Sequence, residues 1–253
     1  YKVPRICFIN KLDRMGASFE RSYQSILDRL TKNAVLIQLP IGIEASFEGT
    51  VDLIDEKAFR FSGEHGEKIE EGEIPDDMKE RVKKEREKLV EKIAEQDDSL
   101  TEKYLAGKDI SVDELMAVLR RATIENNLVP VLCGSALKNK GVQLLLDAVV
   151  HYLPSPADVP PVVGNDPKSG EEITREARDD EKFAALAFKI ATDPFIGQLV
   201  YFRVYSGSLG KGSYVLNATS GEKERLGRIV RMHANHREEV DSIYAGEIGA
   251  AVG

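Results

Sequence analysis

The chain has 253 residues, of which 42% are hydrophobic and 31% charged, and this composition fits a globular protein with room for two domains. Its formal net charge of −8 argues against general binding of nucleic acid, which needs a basic surface, and we expect no DNA partner. The two cysteines give no disulfide framework and no apolar run approaches the roughly 20 residues of a membrane span, so we expect a cytoplasmic protein without a membrane partner.

The chain opens with a predicted strand, loop and helix. Residues 6–9 form a short apolar run that stops at Asn10-Lys11-Leu12-Asp13. Apolar residues then recur at helical spacing, at Phe19, Tyr23, Ile26, Leu27 and Leu30. Open α/β sheets bind ligands at the carboxyl ends of their strands, so this polar loop lies where a ligand is expected.

The Asn-Lys-x-Asp loop carries groups that can select guanine. A carboxylate accepts two parallel hydrogen bonds, and guanine offers two adjacent donors, N1–H and the exocyclic amine. Adenine has an acceptor at N1 and no amine at C2, so the same site would be left unpaired. We predict that Asp13 selects guanine, that Asn10 stabilises the loop and reaches the purine edge, and that the stem of Lys11 lies along the base. The alternative is an ordinary polar loop, with Asp13 or Ser18 as a helix cap.

A second predicted unit of strand, loop and helix lies downstream. The apolar run at residues 128–133 ends at residues 134–137 (Gly-Ser-Ala-Leu), and another amphipathic helix follows. If the two strands are parallel neighbours, their loops meet over one ligand. We predict that the N–H of Ala136 donates to guanine O6 and that Ser135 holds the carboxylate of Asp13. No Gly-x-Ser-x-Gly elbow surrounds Ser135, so we do not interpret it as a nucleophile.

Together these loops resemble the guanine-recognition half of a translational GTPase, and of the elongation factor G family in particular. The similarity includes residues 134–141 (Gly-Ser-Ala-Leu-Lys-Asn-Lys-Gly), 192–195 (Thr-Asp-Pro-Phe) and 232–235 (Met-His-Ala-Asn), and it covers nearly the whole chain. The resemblance implies a GTP or GDP ligand. The guanine-binding residues that it implies are Asn10, Lys11, Asp13, Ser135, Ala136 and Leu137.

The residues that carry phosphate chemistry in this family have no counterpart in the 253 residues. There is no Gly-x-x-x-x-Gly-Lys-[Ser/Thr] motif and no Asp-x-Pro-Gly-His segment, which in the family positions the attacking water. Residues 207–213 (Gly-Ser-Leu-Gly-Lys-Gly-Ser) fail the phosphate-loop pattern and predict a hairpin turn.

We therefore interpret the chain as a fragment without the N-terminal phosphate-loop half and the C-terminal domains of its parent. The resemblance implies a parent that hydrolyses GTP, with Mg²⁺, while promoting ribosomal translocation of tRNA and mRNA. For the fragment we expect no catalytic residue, no metal site and weak or absent nucleotide binding.

The predicted fold class is α/β: a partial doubly wound GTPase core with an inserted α+β subdomain, followed by a truncated antiparallel β-barrel. We assign residues 1–156 to the GTPase part, with the insert at 31–127, and residues 157–180 to a Pro-rich, charged linker. The barrel occupies residues 181–253. Its predicted strands are at 183–191, 199–205, 214–217, 223–231 and 248–252.

The insert contains predicted strands and three predicted helices. A strand at 35–39 begins it, and a glycine-containing loop at 63–72 precedes a long helix that opens at Pro75. Two more helices are predicted from capping boxes, Ser99-x-x-Glu102 and Ser111-x-x-Glu114. The resemblance implies that this insert contacts the acidic stalk protein of the large ribosomal subunit.

Positive charge concentrates in one stretch of the second domain. The arginines are Arg225, Arg228, Arg231 and Arg237, with His233 and His236 between them. A solvated strand face and an RNA-binding face both remain open, and the resemblance implies contact with small-subunit ribosomal RNA. The two histidines lack a third ligand at useful spacing, so no metal site is predicted.

Several classes of function remain as alternatives. The chain could be a non-enzymatic ribosome-binding module, or part of a release-factor-three or ribosomal-protection type of translational GTPase. An unrelated α/β enzyme would have to reproduce both loops, the insert and the barrel in the same order. The long insert and residues 232–235 favour elongation factor G.

Overall fold

The computed structural model describes residues 3–166, 169–193, 197–234 and 236–252, and the chain divides into a first unit, Tyr1–Pro154, and a second unit, Ser155–Gly253. The helices and strands of the first unit are, in chain order, β1 (Cys7–Ile9), α1 (Phe19–Arg29), β2 (Ala34–Leu36), β3 (Gln38–Ile41), β4 (Gly49–Asp52), β5 (Lys57–Ser62), β6 (Lys68–Gly72), α2 (Lys79–Ala94), α3 (Asp98–Leu105), α4 (Val112–Ile124), β7 (Val129–Cys133) and α5 (Val142–Tyr152).

A three-stranded parallel sheet of order β1-β7-β2 forms the centre of the first unit. The middle strand β7 is buried at every position, which explains why its sequence is a continuous apolar run rather than an alternating one. Strand β2 pairs in parallel with β7, with Leu36 opposite Val131. The predicted start of the insert at residue 31 therefore needs correction, because residues 34–36 belong to the central sheet.

The insert begins with an antiparallel sheet of order β3-β4-β5-β6. The apolar run predicted as one strand at 35–39 is two strands. Ile37 separates them: its N–H donates to Val131 of the central sheet, and its carbonyl accepts from Leu53 in the insert. The predicted glycine-containing loop was wrong at residues 68–72, which form the exposed strand β6.

The N-terminal cap agrees with the sequence prediction at α4 and differs from it at α3. Ser111 and Glu114 form the predicted capping box of α4. The predicted box at Ser99 was wrong, because the Asp97 carboxylate accepts from the N–H groups of Ser99 and Leu100 and begins α3 two residues earlier. Asp was a competing cap that the Ser-x-x-Glu pattern does not consider.

The two helices that follow the site loops are held by specific contacts. Ser18 caps α1 by accepting from the N–H of Arg21 at 3.3 Å, so the cap belongs to Ser18 and leaves Asp13 available. Arg120 of α4 donates to the carbonyl groups of Val150 and His151, at 3.1 and 2.8 Å. The last carbonyl groups of a helix have no hydrogen-bond donor within the helix, and Arg120 supplies one for α5. Its positive charge also interacts favourably with the negative end of the helix dipole.

The second unit contains strands alone in its described residues. They are, in chain order, β8 (Val162–Asn165), β9 (Glu172–Arg175), β10 (Ala184–Asp193), β11 (Gly197–Ser206), β12 (Leu209–Gly210), β13 (Tyr214–Leu216), β14 (Lys223–Arg225), β15 (Arg228–His233), β16 (His236–Val240), β17 (Ser242–Ile243) and β18 (Ile248–Val252). Its largest sheet has the antiparallel order β10-β11-β18-β15-β16. Buried side chains pack on it, among them Phe202, Val204, Ile229 and Ile243.

The α/β unit followed by an antiparallel β unit is the predicted fold class, while closure into a barrel stays a prediction. Two predicted segments differ in detail. The run at 223–231 is two strands separated at residues 226–227, and the predicted linker contains the hairpin of β8 and β9. The motif residues Pro194, Phe195 and Asn235 lie outside the described residues.

Candidate functional site

The loops that follow β1 and β7 meet at one edge of the parallel sheet. The two strands pair in register, with Ile9 opposite Cys133. The N–H of Gly134 donates to the carbonyl of Ile9 at 3.0 Å, and the N–H of Leu12 donates to the carbonyl of Gly134 at 3.2 Å. The backbone of each loop is therefore bonded to the other before any side chain contributes.

Asn10 links the two loops through its side chain. Its Oδ1 accepts from the N–H of Lys11 at 2.7 Å and from the N–H of Ala136 at 2.9 Å. The stabilising role predicted for Asn10 is present as this contact. The predicted donation from Ala136 to guanine O6 stays a prediction, and it requires this N–H to be shared with Asn10 or released by it.

Asp13 is held by two residues of the second loop. The Oγ of Ser135 donates to its Oδ1 at 2.6 Å, which is the contact predicted from the sequence. The Nζ of Lys138 lies 3.6 Å from its Oδ2, and the Asp13 side chain is 8% exposed. The Ser135 hydrogen bond, aided by the charge of Lys138, lowers the pKa of the Asp13 carboxyl. At neutral pH the group is an ionised acceptor at the mouth of the site.

Each of the two loops presents one exposed side chain, Lys11 in the first and Leu137 in the second. Lys11 is exposed and has a left-handed backbone, with φ of 64°. Leu137 is 82% exposed. An aliphatic stem and an apolar side chain are suitable groups for contact with the faces of a planar base, and neither belongs to the buried core of the described residues.

The second loop is closed by backbone hydrogen bonds and requires a glycine. The N–H and carbonyl of Ser135 bond to the carbonyl and N–H of Lys140, at 2.9 and 3.0 Å. A Cβ at Gly134 would lie 2.3 Å from the Lys140 carbonyl oxygen and 2.7 Å from the ring of Phe8. No side chain fits there without moving backbone, so the geometry of Ser135 depends on this glycine.

Sequence reasoning missed the residues that connect the insert to these loops. Glu44 of the insert accepts from the N–H of Gly16 through Oε1 at 2.7 Å. Lys140 donates from Nζ to the carbonyl of Phe47 at 2.8 Å. The two contacts join residues that are 28 and 93 positions apart, so no local pattern could have marked them. Lys138 was part of the motif quoted for the resemblance, but its proximity to Asp13 was not predicted.

The four candidate RNA-contact arginines are not gathered on one strand. Arg225 lies on β14, Arg228 and Arg231 on β15, and Arg237 on β16. Arg231 is bonded to Glu247 at 2.6 Å, so its charge is partly neutralised. Arg225 and Arg228 are exposed. Arg237 is exposed as well, so these three are the stronger candidates for an external anionic partner.

Neither a metal-binding cluster nor a membrane-spanning helix occurs among the described residues. Within 3–166, 169–193, 197–234 and 236–252, no three His, Cys, Asp or Glu side chains are grouped so that they could hold a metal ion. None of the helices in those ranges is long and apolar enough to cross a membrane. His233 Nε2 lies 3.3 Å from Glu238 Oε2, which makes it part of a surface pair.

Replacing Ser135 by Ala should raise the pKa of Asp13, because the largest cause of its lowered value is lost. A carboxyl whose pKa is lower in the folded state stabilises the fold above its unfolded pKa, and this stabilisation is lost as the pH falls through the folded pKa. An NMR titration of the Asp13 carboxyl carbon measures the change. Ser62→Ala, which removes an exposed hydroxyl on β5, is the matched control. An unaltered Asp13 titration in Ser135→Ala would contradict the assignment.

Comparison with known proteins places both units in one family. Residues 1–155 match the elongation factor Tu GTP binding domain, and residues 182–253 match elongation factor G domain 2. A crystal structure from Thermus thermophilus, of the protein designated ttk003000868, is 27% identical, with a TM-score of 0.75 over 98% of this chain and 34% of that one. The present chain thus spans about a third of the length of that structure. It belongs to the translational GTPases of the elongation factor G type, with a GTP-binding domain followed by domain 2.

Proposed function

We propose that this chain carries the guanine-selecting part of an elongation factor that promotes ribosomal translocation of tRNA and mRNA with GTP hydrolysis. The observation that carries the proposal is the ionised Asp13 carboxylate, held by Ser135 at 2.6 Å where the two loops meet. Membership of the elongation factor G type supports the wider activity. The chain covers 34% of the Thermus thermophilus structure that it matches.

The chemistry of guanine fits the groups present. An ionised carboxylate has about four lone-pair positions, so Asp13 can keep its bond from Ser135 and still accept from guanine N1–H and N2–H. Asn10 is proposed to reach the purine edge. Lys11 and Leu137 are the groups proposed to cover the two faces of the base, and Ala136 is proposed to donate to O6.

The Asp13→Asn variant should lose its preference for guanine. An amide presents one acceptor and one donor, so one guanine N–H faces another N–H, while xanthine offers an acceptor in place of the amine. We expect GDP to bind at least tenfold more weakly, a loss of about 1.4 kcal/mol, and xanthosine diphosphate to bind more tightly. NMR titrations of the chain with GDP, xanthosine diphosphate and ADP measure these affinities.

Asp147→Asn is the matched control, because Asp147 is an exposed carboxylate on α5. It should bind all three nucleotides as the natural chain does. Equal binding of GDP and ADP by the natural chain, or an unaltered GDP affinity in Asp13→Asn, would contradict a guanine-selecting role.

We propose that the 253-residue chain does not hydrolyse GTP by itself. Phosphoryl transfer needs a phosphate cradle, Mg²⁺ and a positioned water together, and no phosphate-loop motif occurs in this sequence. Mg²⁺ is proposed as a cofactor of the parent protein. Phosphate release measured with purified chain should equal that of a buffer blank containing Mg²⁺, and turnover above the blank would overturn the proposal.

The ribosome is the proposed macromolecular partner. We propose that the insert contacts the stalk protein of the large subunit and that Arg225 and Arg228 contact small-subunit RNA. The match to elongation factor G domain 2 favours this proposal over a release-factor-three or ribosomal-protection protein. A non-enzymatic ribosome-binding module remains the second candidate.

Reversing the charge of Arg225 and Arg228 to Glu tests the RNA contact. Phosphate contacts release counterions, so the variant should bind small subunits more weakly and with a shallower dependence on salt. Co-sedimentation at several salt concentrations gives both quantities. Lys83→Glu combined with Lys84→Glu in the insert is a control with the same net charge, and identical salt dependence in all three proteins would end the RNA proposal.

A further inference from the structure

A short turn in the insert is rigidly built. Residues 43–47, called here the bridging turn, contain a 3-10 helix at Glu44–Ser46. The Oγ of Ser46 donates to the carbonyl of Ile43 at 2.7 Å and accepts from its N–H at 3.2 Å. The preceding Gly42 has φ of 72°, and a Cβ there would lie 2.1 Å from the Ser46 carbonyl oxygen. The turn is thus fixed by its own hydrogen bonds and by a position that admits only glycine.

One end of the bridging turn is bonded to the first guanine loop. The N–H of Glu44 donates to the carbonyl of Leu12 at 2.7 Å. The Glu44 carboxylate accepts from the N–H of Gly16, also at 2.7 Å. These bonds lie on either side of Asp13 in the chain. Glu44 itself has a left-handed φ of 54°, a costly conformation for a residue with a Cβ.

The other end of the same turn is bonded to the second guanine loop. The ammonium of Lys140 donates to the carbonyl of Phe47 at 2.8 Å and lies 5.9 Å from the centre of the Phe47 ring. Phe47 is buried, with 2% of its surface exposed. Lys140 is also the residue whose backbone closes the loop onto Ser135. The position of Lys140 therefore affects the hydroxyl that holds Asp13.

We infer that the bridging turn sets the distance between the two guanine loops, with Glu44 and Lys140 as positioning residues for base recognition. The inference rests on the proposed guanine site. It assigns to the insert a part in nucleotide selection, separate from any partner that the insert binds. The Ser135–Asp13 hydrogen bond and the Ala136–Asn10 hydrogen bond each join one loop to the other. A change in loop spacing therefore alters both of them.

The two possible roles of Glu44 and Lys140, local support of one loop or control of the spacing between both loops, predict different results. If Glu44 and Lys140 were only local supports, each substitution would loosen the loop that it touches. If the turn sets the spacing, a change at Glu44 should loosen the second loop and a change at Lys140 should loosen the first. Glu44→Met and Lys140→Met keep a side chain of similar length but remove the carboxylate or ammonium that forms the hydrogen bond. Glu44→Gln retains a hydrogen-bond acceptor, and Lys140→Arg retains a charged donor.

The experiment uses amide hydrogen exchange, followed by NMR on the whole chain. We expect exchange at Ala136 to be at least fivefold faster in Glu44→Met, and exchange at Gly16 to be at least fivefold faster in Lys140→Met. Glu44→Gln and Lys140→Arg should restore the natural rates, and Lys92→Met on α2 should not alter them. Faster exchange confined to the loop touched by the substituted residue would overturn the inference.

A second readout concerns the base. Inosine diphosphate lacks the exocyclic amine that Asp13 is proposed to bind, so the affinity ratio of GDP to inosine diphosphate reports how well the carboxylate is placed. This ratio should fall at least threefold in both Met variants and recover in Glu44→Gln and Lys140→Arg. A ratio of one in the natural chain would contradict the proposed contact between Asp13 and the guanine amine, and the cross-loop exchange would still decide whether the turn sets the spacing.

Discussion

The parallel pairing of β1 with β7 is the constraint on which the candidate site depends. Because Ile9 lies opposite Cys133, both strands end at the same level and both loops leave the sheet at the same edge. A slip of one residue would turn the alternate face of β1 toward α1 and would move Asp13 away from Ser135. The close fit around Gly134, where a Cβ would lie 2.3 Å from the Lys140 carbonyl oxygen, makes that slip costly.

Local sequence patterns were sufficient to predict much of the fold and one long-range contact. The strand-loop-helix units were visible from apolar periodicity, and the Asp13–Ser135 bond followed from placing two such units side by side. Pattern failed where an element has no apolar face, as in exposed β6, and where two caps compete, as at Asp97. It could not find Glu44, because its role comes from the folded path of the insert and not from neighbouring residues.

The proposed base selection and phosphoryl transfer need different chemical groups. Selection needs a few hydrogen-bonding groups in a fixed arrangement, which the loops after β1 and β7 hold through bonds to each other. Phosphoryl transfer needs a charged cradle and a metal, for which the sequence has no motif. The insert lies in the chain between the two loops and is bonded to both, through Glu44 to the first and through Lys140 to the second.

The left-handed backbone of Lys11 has a consequence for protein engineering. This conformation costs a lysine roughly 1 kcal/mol relative to a glycine, which adopts it freely. Lys11 is exposed and fills no core, so packing does not explain its side chain. A library selected for thermal stability alone should therefore enrich Gly or Asn at this position, whereas one selected for ligand capture should retain Lys. Divergence between the two libraries would identify a residue whose side chain is kept at the expense of stability.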